Sequence, residues 1–136
     1  MSEQTLELTV TTTLGMQDAE RDLRAALAAE GFGVLTEVDA AAVLKAKLDV
    51  DVEPYRILGV CNPQLAYDAM AIWRGFGLIA PCHIALYPVG DRTAIAALNP
   101  LAFSDVRDNA RLLPIAEAAR AALGRALDAV GVPTES

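Results

Sequence analysis

Gly59-Val60-Cys61-Asn62-Pro63, GVCNP, is the stretch that decides how this chain is read. Just before it, Tyr55–Val60 is apolar nearly throughout, which predicts a strand covered on both faces. Just after it, Asn62-Pro63 is a helix start. Asparagine caps the orphan amides of a first turn, and proline at the first helical position gives up an N–H that would have no partner. A thiol, Cys61, therefore stands at the join of a buried strand and a helix. The second cysteine, Cys82, opens another apolar run in Ala80-Pro81-Cys82-His83.

Working outward, Thr5–Thr13 alternates, with Leu6, Leu8 and Val10 on one side, as in a half-buried strand. Ala19, Leu23, Ala26 and Leu27 then recur at helical spacing between Met16 and Glu30, and Gly31 ends that helix. Phe32, Val34, Thr36 and Val38 alternate as a second strand. Asp39 caps a short helix to Leu48, with Val43, Leu44 and Leu48 expected inward. The helix opened by Asn62 carries Ala66, Ala69, Met70 and Trp73 on one stripe, and Gly75 and Gly77 break it. Cys82–Val89 and Thr93–Leu98 are apolar runs joined through Gly90-Asp91, a hairpin signal. Asn99-Pro100 opens a short turn or helix, PLAFSDV. A long stripe from Leu112 to Val130 predicts the last helix, with Pro114 in its first turn and Gly131 and Pro133 as its stop.

The pattern β-α-β-α-β-α-β-β-α predicts an α+β domain with a single mixed sheet of about five strands and helices packed against it. We read residues 1–136 as one domain, with a core over 5–130 and a short flexible tail over 131–136.

Composition excludes several functions. A net charge of −7 leaves no cationic face for nucleic acid or an anionic membrane surface. No run approaches the length of a membrane span, and MSEQTLELTV has neither the basic nor the apolar region of a secretory signal. The reading is a cytoplasmic protein in which Cys61 and Cys82 are reduced thiols.

Cys61 could be an activated thiolate, because the N–H groups and dipole of the helix behind it favour an anion. It could equally be a small buried hydrophobe. Whether Cys82 meets it depends on whether their strands run antiparallel. Tyr67 and Met70, on the helix that Cys61 introduces, could wall a pocket beside the thiol. Tyr55, Arg56, Trp73, Arg74 and Tyr87 are further possible contacts. Cys61, Cys82 and His83 are the candidate metal ligands, although His83 should point away from the face that Cys82 uses and a zinc site normally takes four ligands. There is no CxxC, HExxH, Walker A or nucleophile-elbow pattern, and no carboxylate pair is placed for acid–base work.

EGFGVLTEVD, YRILGVCNPQLAYDAM, GLIAPCHIALY and LNPLAF together resemble the small bacterial and archaeal family known as domain of unknown function 302, over roughly Glu30 to Leu127. The resemblance implies a single α+β domain that tends to dimerise. It points to Cys61-Asn62-Pro63 and Pro81-Cys82, and it implies no reaction or named cofactor. His83 stands where the family more often has asparagine.

Three functional readings follow. The first is a homodimeric binding or sensing module whose site, formed by Cys61, Asn62, Cys82 and Tyr67, takes a soft metal ion, a haem-like group or a thiol-reactive small molecule. The second is a thiol-dependent enzyme with Cys61 as nucleophile. The third is a structural dimer module with no site.

Overall fold

The structure, a computed structural model, describes residues 5–134. Its elements run β1 Glu7–Thr12, α1 Met16–Ala29, β2 Gly33–Asp39, α2 Ala40–Leu48, β3 Arg56–Cys61 and α3 Pro63–Ile72. A 3-10 turn at Arg74–Leu78 leads to β4 Cys82–Val89 and β5 Arg92–Leu98. A second 3-10 turn at Pro100–Ala102, α4 Ser104–Arg107, α5 Leu113–Asp128 and β6 Val132–Pro133 complete the chain. The architecture is α+β with one sheet, in the order β2-β3-β4-β5-β1-β6.

Local sequence explains most boundaries. The Asp39 side chain accepts from the Ala42 amide, and that of Asn62 accepts from the Leu65 amide, so both short helices start on a satisfied cap. Gly31 sits at φ 82° behind α1, and Phe32 N–H donates to the Leu27 carbonyl, which closes the helix end. Gly90, at φ 61°, turns the β4–β5 hairpin between Val89 and Arg92.

Every strand pairing is antiparallel, where a mixed sheet was expected. The reason lies in the connections. After α2 and again after α3 the chain spends an extra segment, 49–55 and 73–81, returning to the end of the sheet it had just left. Each next strand therefore runs back beside the previous one rather than crossing over. A sixth strand also forms. Val132 and Pro133 pair with Thr11 and Val10, so part of the stretch read as a tail extends the sheet, while 135–136 lie outside the described residues.

Register separates the two faces of the sheet. Val10, Ile95 and Leu86 lie in one row, and Ala97, Ile84 and Leu58 in the next. These bury against Leu23 and Leu27 of α1 and Leu123 and Leu127 of α5 as the main core. The opposite face presents Thr9, Ala96, Ala85, Ile57 and Val38 in one row across five strands, and none of these belongs to a core cluster. A second, smaller core gathers Ala69, Val106, Leu112 and Ala116 with Trp73, Phe76, Ile79 and Phe103 around them. Helix α5 belongs to both cores, through Ala116 at one end and Leu123 and Leu127 at the other.

Two expectations about α2 and β2 are corrected. Val43 and Leu48 of α2 are exposed, not inward, and no residue of that helix is buried. Its start is tied down by the Asp39 cap and by Ala40 N–H donating to the Tyr55 carbonyl, but neither core reaches it. In β2 a bulge between Val34 and Thr36 interrupts the alternation and leaves Leu35 exposed.

On the helix side of the sheet edge, Arg56 donates to both carboxylate oxygens of Glu20 at 2.8 and 2.9 Å and to Glu37 at 2.9 Å, while Arg24 also meets both acids. The hydrogen bonds from Arg56 hold the Glu20 carboxyl below its ordinary 4.5. A carboxylate depressed in this way adds stability above its unfolded value and loses it as pH falls through the folded one. Arg56→Met should therefore cost about 1–2 kcal/mol at pH 7, between exposed and buried pairs. It should also flatten the fall of stability below pH 4.5, as measured by urea unfolding at a series of pH values.

Candidate functional site

The site is assembled by the β3–β4 pairing. Val60 stands opposite Cys82 and Gly59 opposite His83, so the end of β3 and the start of β4 coincide, and Cys61 and Cys82 come to the same edge of the sheet. Close approach at Gly59 makes this possible. A Cβ there would overlap the Thr36 hydroxyl and press on the Pro81 ring at 3.0 Å. The Ala80–Pro81 peptide is cis.

Asn62 fixes the neighbouring corner. Its carbonyl oxygen caps α3 at Leu65, and its amide donates to the Glu30 carbonyl at the end of α1, 3.5 Å away. Gly31 fits under that amide, since a Cβ on it would come within 3.0 Å of Nδ2. One side chain thus joins the end of α1, the end of β3 and the start of α3.

Beyond this edge, at the seam between the two cores, lies a cavity of about 70 Å³. Phe32, Val60, Cys61, Asn62, Pro81 and Cys82 form the sheet-side wall. Ala66, Ala69, Trp73, Phe76 and Ile79 form a second wall, and Phe103, Val106, Leu112, Ile115 and Ala116 the third. The lining is apolar except for the two thiols and Asn62, and it contains no charged side chain. Trp73 is the only tryptophan in the chain, and its indole lies against Gly75, where a Cβ would come within 2.6 Å of Nε1.

The structure brings together Cys61, Asn62 and Cys82 and leaves out the other candidates. Tyr67 is 73 % exposed and Met70 59 %, and neither lines the cavity. Their helix presents Ala66, Ala69 and Trp73 inward, so Tyr67 and Met70 fall on its outer side. His83 is exposed on the open face of the sheet, one position out of phase with Cys82. Among the described residues no group of three or more histidine, cysteine or acidic side chains could hold a metal ion. Tyr55 and Tyr87 stack on each other, ring centroids 5.5 Å apart, away from the cavity. Of the third wall, only Pro100 and Phe103 fall in a motif the sequence singled out, LNPLAF; from Val106 to Ala119 its apolar residues are spaced like any core.

Burial raises both thiols. Desolvation raises the Cys61 pKa above its ordinary 9.0. Cys82 is pushed up to about 11, first by desolvation and then by the neighbouring Cys61 thiolate. The Asn62 side chain already occupies the Leu65 amide, one of the α3 amides that would otherwise favour a thiolate. Both groups are therefore neutral thiols at pH 7, suited to soft contact rather than to nucleophilic attack.

Fold and site together define a small α+β domain whose single antiparallel sheet ends in a partly enclosed, apolar, thiol-bearing cavity. The family model for the domain of unknown function DUF302 matches residues 8–130, and the chain belongs to that family. It is similar to the crystal structure of an uncharacterised conserved DUF302 protein from Bacillus stearothermophilus. That likeness has a TM-score of 0.86 and 29 % identity, over 93 % of this chain and 99 % of the other. No curated protein matches the chain. No helix among the described residues is long and apolar enough to cross a membrane.

Two measurements check this geometry. Gly59→Ala should destabilise the fold by about 1–3 kcal/mol, the range for overpacking, and Thr36→Ala should recover part of that loss in the double variant. The iodoacetamide rate at Cys61 should keep climbing past pH 9, with Cys82 slower still. A plateau below pH 8 would show a lowered pKa instead.

Proposed function

We propose that the protein is a homodimeric binding module that takes a small uncharged apolar molecule into the cavity between its two cores. Cys61 and Cys82 are then soft, protonated contacts at one end of that cavity. The observation that carries this reading is the cavity itself, partly enclosed, free of charged side chains and walled by aromatic and aliphatic side chains from three parts of the chain. An ion would lose its hydration there with nothing to replace it. A soft metal is not favoured, because His83 lies on the other face and no group of three ligands forms among the described residues. A haem-like group is far larger than the space.

Size limits the ligand further. The cavity, about 70 Å³, is smaller than the roughly 150 Å³ cavity that admits benzene in an engineered protein core. A molecule of a few heavy atoms fits the structure as it stands. Anything larger, benzene included, enters by outward movement of α3 and the 3-10 turn at Arg74–Leu78, which pack on the smaller core.

Trp73 reports occupancy directly, because its ring lines the space. Benzene should change its emission saturably, and benzoate should not. Ala116→Leu, which fills the cavity from α5, should weaken benzene binding at least tenfold while leaving thermal unfolding cooperative. A linear, non-saturating response, or an equal response to benzoate, would remove the cavity reading.

A further inference from the structure

We propose that Trp73 determines which molecules reach the cavity, as a side-chain door between it and a groove beside α4. This rests on the cavity reading above and adds the route and the molecular shape it selects.

Two spaces meet at this residue. On one side is the apolar cavity. On the other is an open polar groove, lined by Asp105 on α4, by Asp108, Asn109 and Ala110 just after it, and by Trp73. Trp73 is the one residue that lines both, and it is only half-buried. Its side chain is therefore the partition between the apolar interior and water on this side of the molecule.

The backbone of Trp73 is fixed and its ring is not. Trp73 N–H donates to the Ala69 carbonyl, and the Trp73 carbonyl accepts from Phe76 N–H, so the main chain is held from both directions. The indole N–H meets no protein acceptor among the described residues and is not buried. A buried tryptophan N–H is usually paired, and turning such a ring breaks that bond. Here turning the ring outward breaks none. Contact alone seats it: a Cβ on Gly75 would come within 2.6 Å of Nε1, so the ring rests on bare glycine backbone. Phe76, Ile79 and Phe103 belong to the same small core.

The place of Trp73 in the chain adds to this. It ends α3 and opens the 3-10 turn at Arg74–Leu78. Those are the two elements whose outward movement admits a larger molecule, and they part at this residue. Gates of this kind set exchange rates without touching the bound state. An indole that swings away leaves a slot of its own flat outline. A flat molecule passes edge-on, while a thicker one waits for the wider movement of α3. The ligand class thereby narrows from small apolar molecules to flat ones.

Fluorine NMR exchange measurements with fluorobenzene and fluorocyclohexane test the door. Fluorocyclohexane should enter the wild-type chain at least tenfold more slowly than fluorobenzene, and Trp73→Ala should remove most of that difference. Ala110→Trp adds bulk at an exposed position on the outer side of the groove. It should slow entry and exit of fluorobenzene at least tenfold each and leave its dissociation constant unchanged, because an obstacle in the path raises the barrier equally from both directions. Unchanged rates in Ala110→Trp, folded by circular dichroism, would overturn the door and leave the cavity reading standing. Equal entry of the two probes into the wild-type chain would overturn the selection by shape. If Trp73→Ala does not fold, Ala110→Trp decides. Fluorobenzene that fails to bind the wild-type chain at all would remove the cavity reading and the door with it.

Discussion

Gly59 is the position on which the rest of this structure depends. The Thr36 hydroxyl from one neighbouring strand and the Pro81 ring from the other side both lie where its side chain would be. Because nothing is there, β2, β3 and β4 close up at their shared end, with Val34 opposite Val60 and Val60 opposite Cys82. That closure brings Cys61, Asn62, Pro81 and Cys82 to one edge and sets the sheet-side wall of the cavity. The close pairing at this end of the sheet, and with it the placement of the thiols, depends on one absent side chain.

Much of the fold was legible because it is written in local rules. The Asp39 and Asn62 caps, the Gly31 stop, the Gly90-Asp91 hairpin and the stripe of α5 each depend on residues a few positions apart. What was not legible depends on what covers what. The spacing of Val43, Leu44 and Leu48 is that of a buried helix face, yet α2 has no core above it. Tyr67 and Met70 sit near Cys61 in sequence but on the outer side of α3, since Ala66, Ala69 and Trp73 take the inner one. Strand direction was hidden in the return segments 49–55 and 73–81, whose course no periodicity records.

The thiols show the same division. A cysteine before a helix start suggests an anion site by its position alone. In the fold the Asn62 side chain takes the Leu65 amide and the surroundings are apolar, so desolvation raises both thiols and both groups stay protonated at pH 7. Position along the chain proposes a chemistry, and the capping partner and the dielectric decide it.

Helix α5 carries residues of both cores on one continuous run of backbone, Leu112 and Ala116 in the smaller and Leu123 and Leu127 in the larger. An α-helix turns by about 100° per residue. Inserting or deleting a single residue between Ala116 and Leu123 would swing one half of the helix by that angle against the other and point one set of core residues away from its core. The chain length in this stretch is thus locked in phase. Loops elsewhere can vary in length, but the spacing between the two cores, and with it the width of the cavity, is set by an unbroken count of residues along α5.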